Sequence, residues 1–214
     1  MPLLRLLAAF DAALMPLRCV FCGTRTTDDE RYICVGCADD LPASASPPPA
    51  PGSPFVAELA PHAWAFPVDA AIKALKFRRR LFYAPALAQL LCGACAGLPD
   101  DIDAVLPVPL HWRRKWLRGF NQALELARPV ARHLGVPLIH NVYRRRATPA
   151  QSGLSAAARA SNLRAAFRVR GRLHYRHVLI IDDVITTGAT MHELARVVIE
   201  AGVDRLSALA VARA

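Results

Sequence analysis

Asp182 and Asp183 close an apolar run, and the turn behind them, Thr186, Thr187, Gly188, Ala189 and Thr190, is built from hydroxyls and small residues. Carboxylates at the tip of a strand can accept hydrogen bonds from sugar hydroxyls. A turn that opens a helix offers free backbone N–H groups and the positive end of the helix dipole to an anion. Threonine hydroxyls add donors, and Gly188 lets the backbone come close to a ligand. The combination suits a sugar phosphate, with the acids on ribose hydroxyls and the loop on the 5-phosphate. The plainer alternative is a strand end whose Asp caps the next helix. The complete strand, loop and helix pattern favours the ligand.

Two further groups carry chemistry. Cys19 and Cys22 form one CxxC pair and Cys34 and Cys37 a second, with eleven residues between them. Four thiolates at this spacing suit a compact structural zinc site, with Gly23 and Gly36 expected at the tight backbone beside each pair. A redox role is the alternative. Cys92 and Cys95 have no second pair and read as small buried cysteines. Arg113, Arg114, Lys115 and Arg118 lie within six positions, interleaved with Trp112 and Trp116. Such a basic loop clamps a pyrophosphate, stacks bases beside a phosphate backbone, or is only a solvated surface. Lys76, in AIKALKFRRR, either faces phosphate or snorkels from a packed helix.

These residues need a framework. HVLIIDDV reads as a strand, TTGATMHELARVVIEAG as a loop entering a helix, and RLSALAVARA as a last strand. DAVLPVPL reads as a short buried strand with a Pro-rich exit, and NQALELARPVARHLG as a helix stopped by Gly135. The stretch from Ala70 to Leu98 reads as helical segments broken near Pro85. Alternation of this kind predicts an α/β fold with a mainly parallel sheet and ligands at the carboxyl ends of its strands. Between the four-cysteine segment and this body, DDLPASASPPPAPGSPF has no periodic apolar face and reads as a linker. The expected division is therefore a module over 1–41, a linker over 42–54 and a body over 55–214.

Composition sets the outer limits. The 214 residues are 54% hydrophobic, enough for a sizeable core, and 27 Lys plus Arg against 17 Asp plus Glu leave a net charge of +10. That balance attracts phosphates, nucleic acid or anionic membrane. The first residues read as an amphipathic helix, because Arg5 and Asp11 interrupt the apolar run. No segment reaches the roughly 20 apolar residues of a membrane helix, so the chain is expected to be soluble and cytoplasmic.

VLIIDDVITTGAT resembles the phosphoribosyl-pyrophosphate (PRPP) motif of type I phosphoribosyltransferases. That resemblance implies a sheet of the type I phosphoribosyltransferase kind, PRPP as ligand, and Mg²⁺ beside its pyrophosphate. With PVPL, RGFNQ and RRRATPAQSGLSAAARASNL in that order behind four cysteines, the chain is similar to the ComF family of bacterial competence proteins. The resemblance implies a small zinc module before a phosphoribosyltransferase-like body, and a role in natural transformation and handling of incoming DNA. It makes Pro107, Val108, Pro109 and Leu110 a pyrophosphate loop and Arg118, Gly119, Asn121 and Gln122 a family signature. Gln151, Arg159 and Asn162 become ligand contacts on a flexible loop, against the alternative of a surface helix. Two functions follow: a DNA-uptake factor binding single-stranded DNA, with PRPP as ligand or regulator, or a transferase acting on an unidentified base or amine acceptor. A competence helicase is a further candidate partner. No catalytic residue stands out.

Overall fold

The structure, a computed structural model, describes residues 17–45, 47–145 and 166–214. The N-terminal helix expected over the first residues, and Gln151, Arg159 and Asn162, lie outside them. The chain divides into two compact units, Met1–Leu41 and Pro42–Ala214.

The first unit is a knuckle. An antiparallel bridge between Arg18 and Arg25 closes the first CxxC turn, in which the Gly23 N–H donates to the Cys19 carbonyl at 2.9 Å. Gly23 takes φ +77°, a left-handed conformation suited to a residue without Cβ. The second pair sits at helix α1 (Val35–Asp39), whose cap is Cys34. Gly36 lies inside this helix with an ordinary φ, so only the first pair uses the backbone freedom expected of both glycines. The Glu30 carboxylate fixes the entry by accepting from the N–H groups of Thr27 at 2.9 Å and Val35 at 3.0 Å. Those two backbone donors hold its carboxyl below the usual range. Among the described residues of this unit only Cys19, Ile33 and Leu41 are buried apolar side chains, too few to fold it unaided.

The second unit is built on a parallel sheet. Its strands are β1 (Ala57–Leu59), β2 (His62–Ala63), β3 (Ala104–Pro107), β6 (His177–Ile185) and β7 (Arg205–Arg213). The order is β1-β7-β6-β3, with β2 continuing beyond β1 along the same edge of β7. A separate antiparallel ribbon joins β4 (Val142–Arg144) to β5 (Phe167–Val169). The helices are α2 (Val68–Arg78), α3 (Tyr83–Ala94), α4 (Trp112–Arg118), α5 (Gln122–Leu134) and α6 (Ala189–Glu200).

Alternation along β6 accounts for the continuous apolar reading of this strand. Val178 and Ile180 pack with Leu194 and Val198 of α6, while Leu179 and Ile181 point the other way and are also fully buried. A sheet covered on both faces leaves the strand ends as the open places for chemistry. At the amino end, His177 is fully buried between Asp101 (Nδ1 to carboxylate, 2.7 Å) and the Ser207 hydroxyl (2.9 Å). Asp103 accepts the N–H groups of Arg176 and His177 there.

Three details depart from the expected elements. The helical stretch breaks at Arg79, which takes φ +52°, and Pro85 is instead the third residue of α3, where a missing N–H costs nothing. The basic stretch expected as a loop is helix α4, started by His111, whose Nδ1 accepts from the Arg113 N–H at 3.3 Å, and stopped by Gly119 at φ +87°. The Pro-rich stretch read as a linker lies within the second unit: Ser44 N–H bonds the Pro61 carbonyl, Ala63 N–H that of Pro42, and Val56 N–H that of Leu206.

Candidate functional site

The acid pair lies inside β6, not at its tip, because the strand runs on to Ile185. Pairing with β3 stops at Pro107 and Ile181, so residues 182–185 are held only by β7 and their other side is open. There the Pro107–Leu110 segment turns away. The Val108 N–H donates to the Ile181 carbonyl at 2.9 Å, and the Val108 carbonyl accepts from the Asn121 side-chain amide at 3.1 Å. Asn121 also caps α5 through the Ala123 N–H at 3.2 Å, so one side chain ties this loop to a helix. Gln122 is buried and accepts from Arg118.

As neighbours in a strand, the two acids face opposite sides. Asp183, 2% exposed, pairs with Lys76 of α2, Nζ to carboxylate 2.7 Å. Asp182 is half-buried, and its carboxylate accepts from the Asp183 N–H at 2.9 Å. Burial, then the charge of Asp183, push the Asp182 carboxyl up to about 8, with Lys76 pulling the other way. Burial and the repulsion of Arg114 weaken the proton hold of Arg118 and Arg144. Lys76, Arg114, Arg118 and Arg144 therefore outnumber the two acids, an excess of cations that suits a polyanion.

The turn after the strand enters α6 through Gly188 at φ +72°, with no side-chain cap. Neither aspartate serves as the helix cap, and the first N–H groups of the helix lack a side-chain acceptor. A Cβ at Gly188 would come within 3.1 Å of the His192 ring, so the turn is tight as well as left-handed.

A cavity of about 380 Å³ gathers Asp182, Asp183, Lys76, Thr186, Thr190 and the Val108–Leu110 loop, with Gln122. Sequence reasoning did not single out Trp64 and Arg144, which also line it, nor give Arg114 a particular place there. Arg118 lines an adjoining space of about 520 Å³ that shares Lys76, Leu110, Arg114 and Gln122 with the first. Thr187 and Gly188 face a third, of about 460 Å³, walled by Pro47–Ser53. Ala189 opens α6, Pro107 is the buried last residue of β3, and Gly119 only ends α4.

In the first unit, the sulfurs of Cys19, Cys22, Cys34 and Cys37 all lie within 4.8 Å of one another, and those of Cys22 and Cys34 are 3.6 Å apart. Zinc with four sulfurs at about 2.3 Å needs sulfur separations of about 3.8 Å. The cluster has the donors and spacing to hold a metal. Cys92 is half-buried and Cys95 buried, its thiol directed to the Leu91 carbonyl at 3.3 Å.

Residues 121–214, from the cap of α5 to the end of β7, match the phosphoribosyl transferase domain. DNA utilization protein YhgH of Escherichia coli (strain K12) is 37% identical over 201 residues, 86% of this chain and 85% of that protein. The chain belongs to the ComF family. Competence protein F of Haemophilus influenzae is 36% identical over 160 residues, 69% of each chain. Among solved structures, orotate phosphoribosyltransferase from Aeropyrum pernix aligns at 20% identity and TM-score 0.39, over 62% of this chain and 63% of that one. This ComF-family chain combines a mainly parallel sheet of the phosphoribosyltransferase type with an N-terminal four-cysteine cluster. Among its described residues no helix is long and apolar enough to cross a membrane.

Proposed function

We propose that this ComF-family protein binds Mg²⁺-PRPP at the carboxyl end of β6 and serves DNA uptake by binding single-stranded DNA. The observation that carries the ligand is the cavity in which the acid pair, Lys76, Thr186, Thr190 and the Val108–Leu110 loop converge. The acids suit ribose hydroxyls, the uncapped start of α6 suits the 5-phosphate, and the Pro107–Leu110 loop with the surrounding cations suits pyrophosphate. The carboxylates are hard oxygen donors of the kind Mg²⁺ takes alongside a polyphosphate. Zinc in the four-cysteine cluster would supply the folding free energy that the small core of the first unit lacks.

The DNA reading draws on the names of the relatives and on helix α4. Trp112 and Trp116 are 64% and 81% exposed, and Phe77 on α2 is 74% exposed, among Arg79, Arg113, Arg114 and Lys115. Large aromatics left in water among cations form a surface on which bases stack while phosphates are neutralised. On this reading the protein works in the cytoplasm, where a competence helicase is the partner it would serve. The second reading, a phosphoribosyltransferase that turns over on a base or amine acceptor, is favoured by cavity space that extends from the acids to Trp64.

Fluorescence anisotropy of a short single-stranded oligonucleotide across a salt series, with and without Mg²⁺-PRPP, separates the two. Binding with a steep salt slope that falls when Trp112 and Trp116 become alanine supports the DNA reading. Absence of binding near physiological salt, together with pyrophosphate release on adding an acceptor, supports the transferase. Asp182→Asn with Asp183→Asn should weaken Mg²⁺-PRPP at least about tenfold; an unchanged affinity removes the site assignment.

A further inference from the structure

A sugar phosphate uses only part of the cavity beside the acid pair. Lys76, Arg144 and the threonines make one kind of wall, whereas Trp64, Pro109, Leu110 and Val184 make another that is apolar. Phosphate and ribose hydroxyls have no use for the second kind. At about 380 Å³ the space falls in the range of roughly 300–1,000 Å³ typical of a single small-molecule site.

Trp64 is also held in place. It follows β2 directly, and its backbone N–H donates to the Arg213 carbonyl at 2.8 Å, which ties it to the end of β7. The Lys73 ammonium lies 5.3 Å from the centre of the indole, and Lys73 is itself paired with Asp69 at 2.6 Å. The ring is half-buried and belongs to neither the core cluster nor the exposed face of α4. An indole fixed at the rim of a phosphate-binding cavity is a stacking platform for a planar ring, because every such ring offers it a π-face.

We infer that Trp64 forms a base subsite, and that the cavity takes a ribonucleoside 5′-monophosphate with its phosphate on the Thr186–Thr190 turn and its heteroaromatic ring against Trp64. The inference rests on the phosphate-loop reading above and extends it: a planar base, not an aliphatic amine, is the group the apolar wall selects.

Calorimetric titration of the full-length protein with ribose 5-phosphate, AMP and UMP tests this. The nucleotides should bind about tenfold more tightly than ribose 5-phosphate, the gain being that of one base stacked on an aromatic ring. Trp64→Ala should abolish the gain and leave ribose 5-phosphate affinity unchanged, which also shows that the variant is folded, and Trp64→Phe should keep most of it. Nucleotides that bind no better than ribose 5-phosphate, or a gain that survives Trp64→Ala, overturn the inference. If ribose 5-phosphate fails to bind while the nucleotides bind through Trp64, the phosphate-loop reading falls and the base subsite stands. If none of the three binds, both fall.

Discussion

The two ends of strand β6 each carry a cluster of charged and polar side chains, and they are built on opposite plans. At the amino end, both ring nitrogens of His177 are engaged, by Asp101 and Ser207, while Arg205 pairs with Asp101 and Asp103 collects two backbone N–H groups. At the carboxyl end, Asp183 is neutralised by Lys76, yet Asp182 lies beside it with an elevated carboxyl and three arginines around the same space. The first cluster has the order of a Ser-His-Asp triad, but Ser207 and His177 are fully buried, so nothing outside can reach the hydroxyl. A closed network fixes strands in register; an unbalanced one facing a cavity is left for a ligand to complete.

The sharpest way to break that contrast is Lys76→Met. It strands the buried Asp183 carboxylate, and loss of one partner of a buried ion pair costs about 3–5 kcal/mol, read as a lower denaturation midpoint. Adding Asp183→Asn should restore most of the stability while Mg²⁺-PRPP affinity stays low, because the double variant removes the stranded charge but not the need for it in binding. A stability loss no larger than that of a surface lysine would mean that the neighbouring arginines already balance Asp183, and the carboxyl end would be as closed as the other.

That pair also marks where sequence reasoning stops. The run from His177 to Thr190 is readable because an apolar strand, a glycine turn and a helix each leave a local pattern, and Asn121 and Gly135 bracket α5 for the same reason. Lys76 and Asp183 meet only because α2 packs over the face of β6 that Asp183 shares with Ile181, and no local pattern encodes that contact. Trp64 gives no signal, being one aromatic after a two-residue strand, and Arg144 lies on a three-residue strand whose partner is distant in sequence. Helix α4 lacks an apolar face. Its ends are set by His111 and Gly119, and the Arg79 guanidinium bonds the Leu117 carbonyl at 2.5 Å, a tertiary contact that its own sequence does not announce. The break at Arg79 is hidden because arginine is not a residue type that advertises a left-handed turn.

At the other end of the strand, His177→Ala should cost about 2–3 kcal/mol by leaving a small void and an unpartnered Ser207 hydroxyl. Mg²⁺-PRPP affinity, measured under conditions where the variant is folded, should not change, since His177 is five residues from Asp182 on a rigid strand. A drop in affinity with little loss of stability would show that the amino-end network positions the acids, and would merge two clusters that the contrast keeps apart.

The smallest expected effect is a pH dependence that belongs to the carboxyl end. The Asp182 carboxyl is raised from the ordinary 3.8 to about 8, first by burial and then by the charge of Asp183. In the window between those values the unfolded chain has lost this proton and the folded protein keeps it, so the folded state binds more protons. Its contribution to stability is fully present below about pH 4 and is lost as pH rises toward about 8. Asp182→Asn should flatten the pH dependence of the denaturation midpoint over that range and stabilise the protein at pH 8 by about 1 kcal/mol, a tenfold change in proton affinity being worth about 1.4 kcal/mol. The same change should weaken Mg²⁺-PRPP binding, so the two readouts move in opposite directions. That opposition is what separates a carboxylate kept at a cost for a ligand from one that serves the fold; a variant that loses both stability and affinity would place Asp182 in the second class.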